Sequence, residues 1–359
     1  MTIRDVGAAA GVSTSTVSRV LNGTAKVDAS LARRVQDAVA DLGYRPNAAA
    51  QGLAKGEAGA IGVLVPDLAN PYFPDVLKAV SRAARGYGRR VMIMESDEDA
   101  ASEYDLALDL MRSCDGVLLC STRMDRASLA ELALHSRPMV LVNRMAPGLS
   151  TPSVSVDFYG GMALVCGHLT QLGHRRALYL SGPETSWANA ERIRAFDAAA
   201  AFGLEVTIVP CGTTSRHGHQ AVSALADSAL ADSVPADSAP VDSAPAGPAA
   251  IGPGSGATAI VAYNDLVALG AMAALEERGI TVPTGMSVIG CDDLALDSQL
   301  SPGRLTTVSG ARNQLGKTAV DTLELLMTAE FDGEPGLIPM NLIVRDTSAP
   351  PRPSAAVSS

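Results

Sequence analysis

The sequence predicts an α/β protein with parallel sheets, preceded by a small all-α head. Three observations carry this. From Ala60 onward, apolar runs of four to six residues alternate with helical stretches. The first 56 residues instead show short helical patterns punctuated by glycine, and charge changes sign between the two regions. Residues 1–56 hold seven Lys/Arg against four Asp, and the rest of the 359-residue chain holds 21 bases against 34 acids. A basic head on an acidic body is the distribution of a polyanion-binding module joined to a domain with another ligand.

The head reads element by element. Thr2 followed by Asp5 is a capping-box-like start, so a helix is expected over residues 3–10 and ends at Gly11. Val12 supplies an apolar contact in the turn. Ser13 caps a second helix from Thr14 to Leu21, stopped by Asn22-Gly23. Val17, Val20 and Leu21 fall at i, i+3 and i+4 and form its buried stripe, leaving Thr14, Ser15, Ser18 and Arg19 on the other faces. Asp28 caps a third helix, Ala29 to Leu42, whose Leu31, Val35, Ala38, Val39 and Leu42 share one face; Gly43 ends it.

Two short helices joined by a glycine turn and braced by a third make a helix-turn-helix. Thr14, Ser15 and Arg19 are the side chains able to reach base edges. A guanidinium can donate two hydrogen bonds to guanine, while hydroxyls bond bases or phosphates less selectively. The competing reading is a solvated helical hairpin with incidental hydroxyls. The next stretch, YRPNAAAQGLAKG (44–56), has Asn47 placed to cap a helix over Ala48–Leu53. At two turns, with Gly52 inside, that helix is marginal by itself and suits a coupling element; the alternative is a plain linker.

In the body, strands are expected at 60–65, 90–95, 116–120, 138–143, 176–181, 257–262 and 286–290. Helices are expected near 74–87, 102–113, 126–136, 159–172, 188–202, 265–278 and 312–328. Ligands of such folds bind beyond the carboxyl ends of the strands. Those ends carry Asn70, Tyr72 and Phe73, then Ser121, Asn143-Arg144, Asp157, Asn264-Asp265 and Asp292-Asp293. Carboxylates, amides and aromatic faces together suit a neutral polyhydroxyl ligand. Residue by residue the competing role is helix capping, which claims roughly half of such Asp and Asn.

The segments TIRDVGAAAGVSTSTVSRVLNG and VDASLARRVQDAVADLGYRPNAAAQGLA resemble the DNA-binding head and hinge of LacI/GalR-family transcriptional regulators. IGVLVPDLANPYF, DGVLLC, VLVNR, VSVDFYGG, HLTQLGHRRALYLSG, AIVAYNDLVALGAMAALEERGITVP, MSVIGCDDL and LTTV resemble that family's effector core, which shares its fold with periplasmic sugar-binding proteins. The resemblance implies two Rossmann-like, periplasmic-binding-protein-like subdomains joined by three crossovers. Its boundaries are a head at 1–46, a hinge at 47–57 and a core at 58–349, with a tail at 350–359. The core divides into about 58–157 with 310–329, and about 158–308 with 330–349.

It further implies a homodimer, or a higher assembly, that binds operator DNA through Thr2, Ser13, Thr14, Ser15, Thr16, Ser18, Arg19, Asn22 and Tyr44, continued by hinge residues Asn47, Ala50 and Leu53. Leu53 matches the leucine that the family wedges into a minor-groove step. The effector contacts it implies are Asn70, Tyr72, Phe73, Arg192, Asn264 and Asp292, with Arg192 clamping ligand hydroxyls. The strand-end residues Ser121, Asn143 and Asp157, and Trp187 near Arg192, complete the candidate effector site. The chain departs from the pattern where Gly310 stands in place of a frequent Gln and Thr213 in place of a stacking Trp. Trp187, the single tryptophan, either stacks instead or packs.

Residues 227–256 repeat Asp-Ser every five positions and continue into APAGPAAIGPGSG, so a disordered surface insert is expected there. Five scattered cysteines and the absence of a signal-peptide pattern at MTIRDV suit a reducing cytoplasm. No P-loop, H-E-x-x-H or G-x-S-x-G motif occurs, and His217-Gly-His219 lacks further ligands, so no cofactor, metal or catalysis is expected. Two other classes compete with the regulator: a solute-binding protein of the same core fold and a sugar-active enzyme.

Overall fold

A computed structural model describes residues 1–22, 27–44, 58–231, 256–294, 304–329, 331 and 336–352. The hinge positions Asn47, Ala50 and Leu53, most of the predicted insert and the end of the tail lie outside the described residues. The chain divides into two units, Met1–Gly59 and Ala60–Ser359.

In the first unit, α1 (Ile3–Ala10), α2 (Thr14–Asn22) and α3 (Ala29–Asp41) enclose one small core of Val6, Ala10, Val17, Val35 and Ala38. Thr2 and Asp5 form the expected capping box, with Thr2 N–H donating to Asp5 at 2.7 Å. Gly11 closes α1 in the left-handed region (φ 64°), which an L-residue with a Cβ adopts at a cost. Asp28 caps α3 through Ser30 and Leu31 N–H, and Arg34 donates to the carbonyl of Ala10, tying α3 to the end of α1.

The second unit contains, among its described residues, two six-stranded sheets. The first comprises β1 (Ala60–Val65), β2 (Arg90–Glu95), β3 (Gly116–Cys120), β4 (Met139–Val142), β5 (Ser153–Val156) and β11 (Leu337–Ile338), in the order β11-β5-β4-β3-β1-β2. Between its strands run α4 (Tyr72–Gly86), α5 (Ala100–Ser113) and α6 (Arg126–Leu132). The second sheet comprises β6 (Arg176–Ser181), β7 (Glu205–Pro210), β8 (Ala259–Ala262), β9 (Ser287–Cys291), β10 (Thr306–Gly310) and β12 (Met340–Ile343), in the order β12-β10-β9-β8-β6-β7. Its helices are α7 (Phe158–Leu172), α8 (Trp187–Ala199), α9 (Ser215–Ala231) and α10 (Asp265–Glu277); α11 (Arg312–Met327) packs on α4 of the first sheet. All pairings are parallel except β10 with β12.

Period-two alternation sends successive residues of a strand to opposite faces, so a sheet covered on both sides needs apolar residues throughout. In β6, Ala177 and Tyr179 join one core cluster while Leu178 and Leu180 join another. This is why the sequence shows apolar runs there rather than alternation.

Two boundaries differ from expectation. Leu337–Ile338 pairs with β5 of the first sheet, so the third crossover falls after Ile338 and not near residue 330. The helix α9 extends to Ala231, inside the stretch expected to be disordered from residue 227. Leu225 and Ala226 are buried, and Asp227 pairs with Arg278 at 3.3 Å, which carries the helix past the start of the repeat.

Candidate functional site

Two polar surfaces stand out. On the head, Ser13 caps α2 through Thr16 N–H (3.2 Å), and its hydroxyl lies 2.7 Å from that of Ser15 and 2.9 Å from that of Thr16. Thr14, Ser15 and Arg19 are exposed on the face opposite buried Val17. Ser18 is partly buried, and Tyr44 packs against the small core.

The second surface is a cleft in the larger unit. Asn70, Tyr72, Phe73, Ser121 and Asn143 from the first sheet meet Arg192, Asn264 and Asp292 from the second. The strand ends turn sharply here: Ser121 (φ 50°), Asn143 (φ 54°) and Asp292 (φ 111°) all occupy the left-handed backbone region. Non-glycine residues in such conformations concentrate at functional sites.

Several of these side chains are fixed before any ligand arrives. The Asn143 amide donates to Tyr72 Oη at 2.6 Å, and its oxygen accepts from Val156 N–H at 3.2 Å. The Asn70 carbonyl oxygen of the side chain accepts from Tyr72 N–H at 3.0 Å. Asn264 caps α10 through Val267 N–H (2.9 Å), the role that competes for strand-end amides, and its amide donates to Thr213 O (2.9 Å).

Arg192 is different. It is 3% exposed, its guanidinium lies 4.6 Å from the ring centres of both Phe158 and Tyr263, and its Nη2 donates to Cys291 Sγ at 3.3 Å. Its Nε and Nη1 are buried without a hydrogen bond of good geometry, beside the Tyr179 hydroxyl. A guanidinium cannot discharge in a protein, so buried donors left unpaired are costly. Nearby, burial raises the Asp292 carboxyl to about 6, against the opposing pull of Arg192 and Arg312. The cleft is therefore lined by a residue with unpaired donors and by a buried carboxyl.

Two predicted residues sit elsewhere. Asp157 caps α7 through Gly160 N–H at 2.8 Å, the capping role that competes for any strand-end aspartate. Trp187 packs on the core edge-on to Phe158, at 5.9 Å between ring centres, and is not among the residues lining the cleft. Sequence reasoning missed Glu98, Arg123, Phe158, Ala188 and Tyr263, which do line it. Phe158 and Tyr263 immediately follow Asp157 and precede Asn264, one position from residues already singled out. Arg123 and Glu98 form an ion pair (2.8 Å), anchored by Arg123 Nη1 donating to Ser121 O at 3.0 Å.

Gly310 has a steric reason. A Cβ there would come within 2.6 Å of a Val156 methyl, so a larger residue fits only if the Val156 side chain shifts. His217 accepts from Thr213 and Thr214 N–H, and His219 pairs with Glu277 at 2.9 Å; each has a local structural partner. Among the described residues no cluster of metal-ligating side chains occurs, and no helix is long and apolar enough to cross a membrane.

The signature of bacterial regulatory proteins of the lacI family matches residues 2–47. That of the periplasmic binding proteins and sugar-binding domain of the LacI family matches 58–240, and a periplasmic-binding-protein-like domain matches 166–348. The chain belongs to the LacI family. It is 32% identical to the Escherichia coli HTH-type transcriptional regulator GalR over 86% of this chain and 83% of that protein. It is 34% identical to GalS of Salmonella typhimurium over 89% and 88%. Among solved structures, a lac repressor dimer bound to operator and the anti-inducer ONPF superposes with a TM-score of 0.79 at 25% identity, covering 97% of this chain and 99% of that one. This family member is a DNA-binding transcriptional regulator, and its relatives are regulators rather than enzymes.

Proposed function

We propose that the protein binds operator DNA as a homodimer in the cytoplasm and that a small polyhydroxyl effector, a sugar or a close relative, sets its operator affinity from the cleft. The observation that carries the effector reading is Arg192, a residue with two buried nitrogens that make no hydrogen bond, lining the same cavity as Asp292. Hydroxyl groups satisfy both at once, accepting from the guanidinium and donating to the carboxylate. A purely apolar ligand would leave the guanidinium donors unpaired. The cavity is about 30 Å³, room for one or two waters, so a sugar ring enters only if the walls part.

The head reading rests on exposed Thr14, Ser15 and Arg19; Thr2, Ser13, Thr16, Ser18, Asn22 and Tyr44 would contribute further DNA contacts. Asn47, Ala50 and Leu53 would extend the interface into the minor groove. The dimer reading is supported by β2, an edge strand that exposes Met92 and Ile93, apolar side chains that a second copy would cover.

The test is a duplex selected from a random pool by the purified protein, titrated across salt with and without a panel of monosaccharides. Selected DNA should bind with steep salt dependence, and at least one sugar should shift its affinity. Binding that is no tighter than to scrambled duplex would sink the regulator reading. A full panel of pentoses, hexoses and their acids without effect would sink the effector class.

A further inference from the structure

The loop after β9 is held in a conformation that its residues disfavour. Asp292 (φ 111°) and Asp293 (φ 52°) are successive positive-φ aspartates. Three elements hold them there. Asp292 N–H donates to Val308 O of β10 at 2.8 Å, and Arg345 Nη2 donates to the Asp293 carboxylate at 2.7 Å. Arg312, the first residue of α11, donates through Nη1 to the Asp292 carbonyl and through Nη2 to the Asp293 carbonyl, the latter at 3.1 Å.

The remaining nitrogen of Arg312 reaches the opposite wall. Its Nε lies 3.3 Å from Asp75 Oδ2, in the first turn of α4. That turn begins with Tyr72 and Phe73, which line the same cleft. Arg312 also stands just past the crossover from β10 in the second sheet to α11, which packs against the first. One planar fork therefore bonds two successive carbonyls of one wall and a carboxylate of the other. A lysine has the charge but not the fork.

We propose that Arg312 is a positioning residue of the cleft, setting the Asp292 carboxylate and tying its loop to α4 so that carboxylate placement and wall separation change together. The biological consequence rests on the effector reading above; the physical tie does not. The groups facing Asp292 are Arg192 from α8, Arg312 from α11, Cys291 from β9, Asp265 from α10 and Tyr72 from α4. Of these, only Arg192 and Arg312 bring positive charge. Losing Arg312 therefore moves the Asp292 carboxyl further up from about 6.

The experiment uses the full chain without ligand. Aspartate-selective carbon labelling follows the Asp292 titration by NMR. Spin labels at exposed Leu134 and Phe202, one on each subdomain, report the distance distribution between the walls. Arg312→Met should raise the Asp292 midpoint by about one pH unit and broaden the distance distribution. Arg312→Lys should restore the midpoint but leave the distribution broad. Asp75→Asn should broaden the distribution while leaving the Asp292 midpoint near that of the wild type.

An Arg312→Met protein that melts cooperatively with both readouts unchanged overturns the proposal. If that variant does not fold, an unchanged distance distribution in Asp75→Asn overturns it instead. Shifts in both readouts without binding of any polyol would leave the tie standing and remove the effector reading.

Discussion

The head and the cleft are both polar surfaces, yet they are built in opposite ways. On α2 the hydroxyls of Ser13, Ser15 and Thr16 bond one another in the open, and Arg19 stands exposed. Water competes for those groups, so Ser15 and Arg19 can change without disturbing Val17 beneath, whereas Ser13 also caps the helix. In the cleft, Arg192 is sandwiched between Phe158 and Tyr263 and reaches Cys291. There the groups proposed to hold the effector are part of the core, so in that reading binding and packing are not separable. The contrast predicts that substitutions at exposed Ser15 and Arg19 act on binding alone, whereas cleft substitutions act on binding and on stability.

The largest effect should come from Arg192. Arg192→Met keeps an unbranched apolar stem between the two rings but removes the donors. Loss of hydrogen bonds from a charged, desolvated group typically costs about 2–5 kcal/mol in binding, so effector affinity should fall by at least roughly thirtyfold. Stability is expected to change as well. Two unpaired buried donors disappear, but the buried Asp292 carboxyl loses one of its two cations, so relative to wild type the variant should lose stability as pH rises from 5.5 to 7.5. Calorimetric titration and thermal melting of the variant check both. Unchanged affinity would break the comparison at its cleft end.

Arg19→Ala probes the other end. It should lose about 1–3 kcal/mol of discrimination between selected and scrambled duplexes, with a melting curve superimposable on wild type. Competition binding measures the ratio. An unaltered ratio removes Arg19 from the readers; a lowered melting temperature would mean the head is not the separable surface described above.

The same contrast explains what the sequence made legible. The head depends on neighbours three and four residues apart, so capping at Thr2, the Gly11 turn and the Val17 stripe are all written locally. The sheet strands read from long apolar runs appear close to where those runs lie. Missed strands have polar or edge character: β5 is Ser-Val-Ser-Val yet wholly buried, and β7 is an edge strand with half its residues exposed. Serine can be buried in β5 because sheet pairing satisfies its backbone and Ser155 donates to Val156 O at 2.8 Å. In the cleft, the type of residue at strand ends was readable, but which of them turn inward was not. Asp157 and Asn264 look alike in sequence, and both cap helices. Only the register of neighbouring strands decides that Asn264 also lines the cleft, and that Glu98 and Arg123 join it from loops.

The smallest effect concerns Asp265, behind the cleft. Burial, with the charge of Asp292 beside it, raises its carboxyl from the ordinary 3.8 to about 7, against hydrogen bonds from Thr307 and Leu294. The folded protein thus holds this proton more tightly than the unfolded chain does. The resulting stabilisation is complete below about pH 4 and is lost as pH rises through 7. Burial lowers His174 and His168, so those two titrate in the opposite sense, losing stability as pH falls below 6.5. Asp265→Asn isolates the aspartate. Its side-chain oxygen can still accept from Leu294 N–H, and its amide can donate to the Thr307 hydroxyl, whose rotor turns to accept. Between pH 5.5 and 7.5 the variant should lack a term on the order of 1 kcal/mol that disfavours the wild type at the upper end. Its melting temperature should therefore exceed that of the wild type at pH 7.5 and approach it at pH 5.5. Exposed head substitutions such as Arg19→Ala should leave that pH slope untouched. Equal slopes in Asp265→Asn and wild type would show that the carboxylates behind the cleft are hydrated enough to titrate normally, and the buried-versus-exposed contrast would fail at its electrostatic root.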